Sequence, residues 1–348
     1  MSTMTDRRRR IILGVDTHRD CHAVAVVDEL GRELGVRIVP ADQAGYVGAL
    51  DWARSLGEVT TCGVEGTSAY GAGLARHLRA AGLEVLEVCR PDRQTRRRDG
   101  KSDPTDAFAA ARAVLAGTTA GIAKTADGPI EMIRVLRVTR RSALKARTQA
   151  INQLHALIVT APEPLRARLE SLSARERSRA CARLRPGVLN CPTAATKHAL
   201  RSLAGRIQTL SLEITGLDHH LDALVASTAP TLCALHGVGT DVAGALLVAI
   251  GDNPDRLHTE AAFAALCGVS PVDASSGRQR RHRLNRGGDR TANNALWRIT
   301  MVRLSSDPRT KTYATRRRHE GRTTREIMRC LKRYIARETY RAILTDWT

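Results

Sequence analysis

Four carboxylates stand where the sequence predicts that elements of an α/β fold begin or end. Asp16 and Glu65 each follow directly on an apolar, strand-like run. Asp103 and Asp106 are three residues apart in a predicted helix, so they share one of its faces. If the two strands are neighbours, Asp16 and Glu65 project from the same edge of the sheet, where parallel-sheet folds place their sites. The spacing thus predicts an acidic cluster.

Carboxylates within about 4–6 Å of one another repel and raise one another's pKa unless a cation lies among them. Oxygen ligands of this kind suit Mg²⁺, with Mn²⁺ as the alternative. Two such ions clamp the attacking and leaving oxygens of a phosphodiester. Each acid taken singly also has a structural explanation, because Asp103 can cap a helix and Asp16 can close a turn. Their combination favours a metal site.

A second candidate for chemistry is Ser276, in a loop of small residues that continues into a cationic segment. Its hydroxyl could attack a phosphodiester while Arg278, Arg280, Arg281 and Arg283 neutralise the developing charge. The same serine and arginines could instead bind phosphate passively in a solvated loop. The loop alone favours the passive interpretation.

Glycines at 237 and 239 separate two predicted helices in a pattern resembling a helix–hairpin–helix motif. Such a turn brings backbone N–H groups close to a phosphate at a helix N-terminus, but it also serves as an ordinary packing element. The sequence leaves both possibilities open. The candidate nucleic-acid contacts are Arg96, Arg97, Arg98, Gly237, Gly239, Arg278, Arg280, Arg281, Arg283 and Arg286.

The charge balance points to a polyanionic partner. The 348 residues carry 55 Lys and Arg against 35 Asp and Glu, a formal net charge of +20. Residues 270–348 hold 20 of the basic residues and seven acids, so nucleic acid is the expected partner. Aromatic residues are only 3% of the chain, which argues against stacking of single-stranded bases. The basic helices near the C-terminus, with Arg329, Lys332, Arg333 and Arg337, are expected to face solvent or nucleic acid.

Other classes of protein are excluded by simple patterns. The longest apolar run, Ala243–Ile250, is too short to span a membrane. The eight cysteines are scattered without metal-ligand spacing, which fits a reducing cytoplasm. We therefore expect a cytoplasmic protein, nucleoid-associated when bound to DNA, with no membrane contact.

The elements that must position the acids form a mixed sheet. Three short strands near 11–15, 23–27 and 33–39 predict an antiparallel meander. Strands at 59–64 and 83–88, separated by helices, favour parallel pairing. This is the order of a ribonuclease-H-like domain. A helix begins at Pro104, and long helices near 129–159 and 193–226 have the pattern of a paired, antiparallel or dimeric coiled arm.

At these residues the sequence is similar to the DEDD-type insertion-sequence transposases, the insertion sequence 110 family. The similarity covers essentially the whole chain and is carried by the segments Gly14–His18, Val64–Gly71, Lys101–Ala107, Gly237–Gly239, Gly268–Pro271, Ser275–Gly277 and Arg283–Gly288.

The resemblance implies a RuvC-like domain at 1–125, a helical coiled-coil arm at 126–229 and a mainly helical C-terminal transposase domain at 230–348. It implies Asp16, Glu65, Asp103 and Asp106 as catalytic Mg²⁺ ligands and Ser276, which precedes a glycine, as the nucleophile that forms a 5′-phosphoserine link. Ser275 is the neighbouring alternative. It further implies a homo-oligomer, dimer or tetramer, with a composite site between subunits, acting on double-stranded donor and target DNA under the guidance of a structured non-coding RNA.

Two other functions remain open at this point. A RuvC-like nuclease would cleave DNA with metal-activated water and leave Ser276 without a catalytic role. A catalytically silent nucleic-acid-binding protein would use only the glycine turn and the basic helices, and the intact acid tetrad argues against it.

Overall fold

Apolar and β-branched residues near the start of the chain form a six-stranded mixed sheet in the computed structural model, which describes residues 9–89, 102–276 and 282–347. The strands are β1 Arg10–Thr17, β2 Cys21–Asp28, β3 Glu33–Pro40, β4 Glu58–Glu65, β5 Glu84–Val88 and β6 Gly121–Ile122. Their order across the sheet is β3-β2-β1-β4-β5-β6. The first three pair antiparallel, and β1, β4 and β5 pair parallel. The predicted mixed sheet is confirmed.

Helices cover both faces of this sheet. They are α1 Gln43–Leu56, α2 Ala72–Ala80 and α3 Asp103–Leu115. Helices α1 and α2 pack on one face, where Leu50 and Leu74 join the larger core cluster. Helix α3 packs on the other face, where Ala107 and Ala111 contact side chains of β1 and β2. Because residues of a strand alternate between faces, the two cores draw on alternate residues of β1.

A glycine in β1 lets α3 approach the sheet closely. A Cβ added to Gly14 would lie 2.1 Å from the carbonyl oxygen of Ala107 and 2.3 Å from the amide nitrogen of Ala111. Any other residue would push the helix away from the strand. This contact brings the first turn of α3, which carries Asp103 and Asp106, towards the end of β1.

The rest of the chain is mainly helical. Its elements are α4 Pro129–Val159, α5 Glu163–Glu170, α6 Ala174–Ala182, α7 Pro192–Thr228, α8 Pro230–Cys233, α9 Thr240–Ile250, a 3₁₀ turn Pro254–Arg256, α10 Glu260–Leu266, β7 Val272–Asp273, β8 His282–Arg283, α11 Arg290–Ser306, α12 Pro308–His319 and α13 Thr324–Trp347.

The two long helices α4 and α7 pair with each other within one chain. Arg140, near the start of α4, donates to Asp218 near the end of α7, whereas Ile158 and Leu200 meet at the other end. The helices are therefore antiparallel. Helices α5 and α6 close this far end and contribute Leu165, Leu169 and Cys181 to its core.

The chain divides into two compact units. The first contains Met1–Asp127 with Ile250–His258, and the second contains Gly128–Ala249 with Thr259–Thr348. The boundary after Asp127 lies near the predicted end of the first domain at 125. The predicted arm and C-terminal domain both fall in the second unit, and the three-part division remains a proposal. None of the helices in the described ranges is long and apolar enough to cross a membrane.

Candidate active site

Two of the predicted acids, Asp16 and Glu65, lie side by side at the carboxyl ends of neighbouring strands. Strands β1 and β4 are parallel and pair Val15 with Val64, so Asp16 and Glu65 come next on each strand. The hydroxyl of Thr17 donates to the carbonyl oxygen of Glu65 at 2.9 Å, which ties the two strand ends together. The expected adjacency of the two acids is therefore present.

The other two acids lie in the first turn of α3. The helix begins after Ser102, whose side-chain oxygen accepts from the amide of Thr105 at 3.3 Å. The N-cap is therefore Ser102, and Asp103 and Asp106 lie in the helical turn that follows it.

The four acids interact electrostatically. Asp16, Glu65 and Asp106 are each less than 9% exposed. Burial raises the pKa of Asp16, and the charges of Glu65, Asp106 and Asp103 raise it further, while His18 lowers it. Like charges gathered in a partly dry site favour either protonation or a bound cation.

An imidazole that the sequence analysis missed lies among these acids. Nε2 of His18 is 3.2 Å from Oδ2 of Asp16 and 3.2 Å from Oδ1 of Asp103. That nitrogen is buried, and neither of these contacts has the geometry of a hydrogen bond. The signal was present in the sequence, since His18 follows Asp16 by two residues at the end of the predicted strand, a spacing that places both side chains on one face of an extended chain.

These side chains fit a divalent cation. One ligand atom from each of Asp16, His18 and Asp103 lies within 4.8 Å of the other two. Carboxylate oxygens are the preferred ligands of Mg²⁺ and Mn²⁺, and imidazole nitrogen is accepted by the softer first-row metals. Nε2 of His18 lies within 3.2 Å of a carboxylate oxygen of each aspartate. The cluster can therefore hold a divalent metal.

The predicted serine lies on a short hairpin in the second unit. Strands β7 and β8 pair Val272 with Arg283 and Asp273 with His282. Ser275 and Ser276 are both exposed. The hydroxyl of Ser275 donates to a carboxylate oxygen of Asp273, and this bond is the main cause of the lowered pKa of Asp273. Ser276 makes no side-chain hydrogen bond to another residue that the structure describes.

Comparison with known proteins gives two matches along the chain. Residues 13–161 match the DEDD transposase family model of the IS110 type, described as a transposase. Residues 229–315 match the model described as the transposase IS116/IS110/IS902 family. The chain belongs to the IS110 transposase family.

A relative of this IS110-family chain is known from Streptomyces coelicolor, where it is named the insertion element IS110 uncharacterized 43.6 kDa protein. The two sequences are 30% identical over 139 residues, which are 39% of this chain and 34% of the relative. The match thus spans about a third of the length of that protein.

The candidate nucleic-acid contacts of this family member divide into two groups. Arg96, Arg97, Arg98, Arg278, Arg280 and Arg281 lie outside the described residues. Arg283 and Arg286 are exposed on and after β8. Gly237 has a positive φ of 82° and packs against the side chain of Val302, while Gly239 is exposed just before α9.

The expectation of an open basic face on the last helix is wrong for Lys332 and Arg333. Lys332 is only 8% exposed and donates to Asn293. Arg333 is half-buried and donates to Glu260, whereas Arg337 is exposed and lies 3.5 Å from the same carboxylate. These cations are partnered because α13 packs against α10 and α11. Helical spacing alone does not reveal which face of a charged helix is covered.

Proposed function

We propose that this IS110-family protein is a DNA transposase that cleaves and rejoins DNA strands to move an insertion sequence. The observation that carries the proposal is the acid cluster at the ends of β1 and β4, on a mixed sheet consistent with a RuvC-like domain. Asp16, Glu65, Asp103 and Asp106 are proposed to hold Mg²⁺, or Mn²⁺, with His18 beside them.

A divalent ion bound there would polarise a phosphodiester and stabilise charge that develops on its oxygens. The acids of this chain would fix the ion at the sheet edge, and their mutual repulsion would be relieved on binding. Thr17 would keep the ends of β1 and β4 in register through its bond to the carbonyl oxygen of Glu65.

Ser276 is proposed as the nucleophile. Its Oγ would form a bond to phosphorus, the bond from phosphorus to O3′ would break, and the serine proton would end on the released 3′-hydroxyl. The 5′-phosphate would then be linked to Ser276. One observation supports Ser276 over Ser275: the hydroxyl of Ser275 is already bonded to Asp273, although both serines are exposed.

The partners are part of the same proposal. Double-stranded donor and target DNA are the substrates, and a structured non-coding RNA directs their choice, as base pairing does in guide-RNA systems. The acids and Ser276 belong to different compact units, which allows a composite site completed by a second subunit of a dimer or tetramer. The coiled-coil role of α4 and α7 and the helix–hairpin–helix role of Gly237 and Gly239 belong to this proposal too.

Trapping the covalent intermediate tests the nucleophile. The protein with its RNA is incubated with a nicked suicide DNA substrate and Mg²⁺, and the DNA-linked peptide is mapped. We expect linkage at Ser276, loss of the adduct in Ser276→Ala, and retention in Ser275→Ala. Linkage at Ser275 would move the nucleophile by one residue. Cleaved DNA without any adduct would favour the metal-water nuclease.

Substitution of the acids tests the metal site. Asp16→Asn, Glu65→Gln and Asp106→Asn each remove a ligand charge with little change in volume, and we expect each to lower strand cleavage at least about 100-fold, since metal stabilisation of the transition state is worth several kcal/mol. Asp51→Asn, on the exposed side of α1, is the matched control. Full activity of an Asp16→Asn protein would refute the site.

Mixing variants tests whether the site is shared between subunits. A preparation of Asp16→Asn mixed with Ser276→Ala should recover part of the recombination activity, because one subunit then supplies intact acids and the other an intact serine. No recovery, with both variants shown to co-assemble, would place the acids and the serine of one site in the same chain.

A further inference from the structure

The two ends of the hairpin segment that carries Ser276 lie in close contact, and we call them the base of the hairpin. The chain leaves α10 at Leu266 and enters α11 after Asp289, whose amide donates to the carbonyl oxygen of Leu266 at 2.6 Å. A Cβ on Gly268 would lie 2.4 Å from the carbonyl oxygen of Gly287, and one on Gly288 would lie 2.5 Å from the amide nitrogen of Gly268. The two ends of the hairpin segment therefore touch through their backbones.

One side chain holds the beginning of this segment, directly after α10. Nδ2 of Asn293, in the first turn of α11, donates to the carbonyl oxygens of Cys267 and Gly268 at 2.8 and 3.2 Å. These carbonyls follow the end of α10, where no backbone amide of the helix is left to bond them. A single amide group thus holds both.

A lysine from another helix fixes the orientation of the side-chain amide of Asn293. Nζ of Lys332, in α13, donates to Oδ1 of Asn293 at 2.9 Å. An ammonium group only donates, and a carbonyl oxygen only accepts, so the oxygen of Asn293 must face Lys332 and its NH₂ group must face the two carbonyls. Lys332 is 8% exposed, and its ammonium meets no carboxylate in the described part of the chain.

We propose that Lys332 and Asn293 are positioning residues for Ser276, acting as a relay from α13 through α11 to the base of the serine hairpin. The inference rests on the proposed nucleophilic role of Ser276. Neither residue touches the reacting atoms. They set the direction in which the hairpin leaves the helical body, and so the place where the serine hydroxyl meets a phosphodiester.

Lys332 differs from a surface lysine that binds phosphate, because it is buried and has no carboxylate partner among the described residues. Removal from water lowers the pKa of Lys332, with a smaller contribution from the nearby charge of Arg329. A buried amino group is kept only where its hydrogen bonds are made, and the bond recorded for Lys332 is to Asn293. Loss of a phosphate contact would weaken DNA binding, whereas loss of this relay would slow the chemical step.

The first test compares two lysine substitutions. Lys332→Met removes the donor and keeps the length of the side chain, and Lys311→Met removes one exposed lysine charge from the same unit. At saturating DNA, we expect adduct formation to slow about 10-fold to 100-fold in Lys332→Met, the effect of displacing a reacting group by up to an ångström. The DNA dissociation constants of the two variants should agree. Equal adduct rates in both would overturn the proposal.

Substitution of Lys332 by a neutral donor distinguishes the effect of its hydrogen bond from the effect of its charge. Lys332→Gln keeps an N–H donor near Oδ1 of Asn293, so its adduct rate should stay within about 3-fold of wild type. A rate as low as that of Lys332→Met would overturn the hydrogen-bond relay. Asn293→Ser should be as slow as Lys332→Met, while Asn294→Ser, on the exposed neighbouring position, should behave as wild type.

Amide hydrogen exchange tests the relay in the absence of DNA cleavage. The amides of Val269 and Ser270 donate to the carbonyl oxygen of Ala264, and that of Asp289 donates to Leu266. We expect faster exchange at these amides in Lys332→Met than in Lys311→Met, with unchanged exchange in α4 and α7. Unchanged exchange at the hairpin base would overturn the relay.

The adduct measurements and the exchange measurements test the nucleophile and the positioning role separately. If the wild-type protein forms no adduct at Ser276, the nucleophile assignment fails, and the exchange data alone decide whether the relay exists. If the adduct forms and exchange loosens but the Lys332→Met rate matches the control, the positioning role is refuted while the nucleophile stands.

Discussion

His18 changes the chemistry expected of the acid cluster. A site of four carboxylates would select hard cations through oxygen alone, but the buried Nε2 of His18 adds a nitrogen donor 3.2 Å from Asp16 and from Asp103. Imidazole is a better ligand for Mn²⁺ and later first-row metals than for Mg²⁺. The single residue therefore bears on which metal the protein takes.

Removal of His18 should weaken metal binding. We expect His18→Ala to lower the affinity for Mn²⁺ about 10-fold to 100-fold, the usual effect of losing a group that binds or orients metal ligands. Isothermal titration of the metal-free protein with Mn²⁺ measures this directly. His219→Ala, at an exposed position of α7, is the control. Equal affinities in the two variants would show that His18 plays no part in metal binding.

At the scale of elements, β2 and α1 enclose a second histidine, His22. The ring of His22 is fully buried and stacks on Tyr46 with centroids 5.8 Å apart and an interplanar angle of 5°. Burial is the main cause of the lowered pKa of His22, so the native state holds the neutral ring.

This burial predicts a pH dependence of stability. The unfolded chain protonates His22 near pH 6.5 and the native chain only at lower pH, so the unfolded state binds more protons as the pH falls below 6.5. The free energy of unfolding should therefore decrease from pH 7.5 to pH 5.5. His22→Phe keeps the ring stack and should reduce that decrease, as measured by urea unfolding at both pH values. His220→Phe, on the exposed face of α7, should leave the wild-type pH dependence in place.

The helical pair α4 and α7 has its own core at the end closed by α5 and α6. Leu200 is fully buried there, whereas Leu212, twelve residues further along α7, is 75% exposed. We expect Leu200→Ala to lower the free energy of unfolding by about 2–5 kcal/mol, since it leaves a cavity. Leu212→Ala should change it by about 0.5 kcal/mol or less. Equal losses in guanidinium unfolding would contradict the intrachain packing of this pair.

At the scale of the whole molecule, positive charge is concentrated near the C-terminus. Residues 270–348 carry 13 of the 20 net positive charges of the chain. Part of this charge is held in ion pairs, as between Arg303 and Glu338 and between Arg333 and Glu260. We expect the other arginines of this segment to attract nucleic acid electrostatically.

Binding to duplex DNA or to RNA should therefore depend steeply on salt. With about six to ten phosphates neutralised, affinity should fall about 10³-fold to 10⁵-fold between 50 and 200 mM salt. Filter binding over a salt series gives the slope. Lys332→Met should leave the slope unchanged because that lysine is buried. A nearly flat titration would contradict phosphate binding as the main source of affinity.

The sequence by itself determined the sheet and the place of its acids. Apolar runs that end in Asp16 and Glu65, and the three-residue spacing of Asp103 and Asp106, carry their structural information locally. Strand alternation and helix periodicity are properties of neighbouring residues, so the meander, the parallel strands and the shared face of α3 follow from them. The motifs around these residues also indicated the family that the comparisons then showed.

Only the tertiary structure decided which distant side chains meet. His18 joins the acids because Gly14 lets α3 come close to β1, and a close approach of this kind depends on both elements. Lys332 looked like one more cation of a basic helix, but α13 places it against Asn293. Charge patterns along a helix do not say which face another helix covers, since that depends on contacts between residues far apart in sequence.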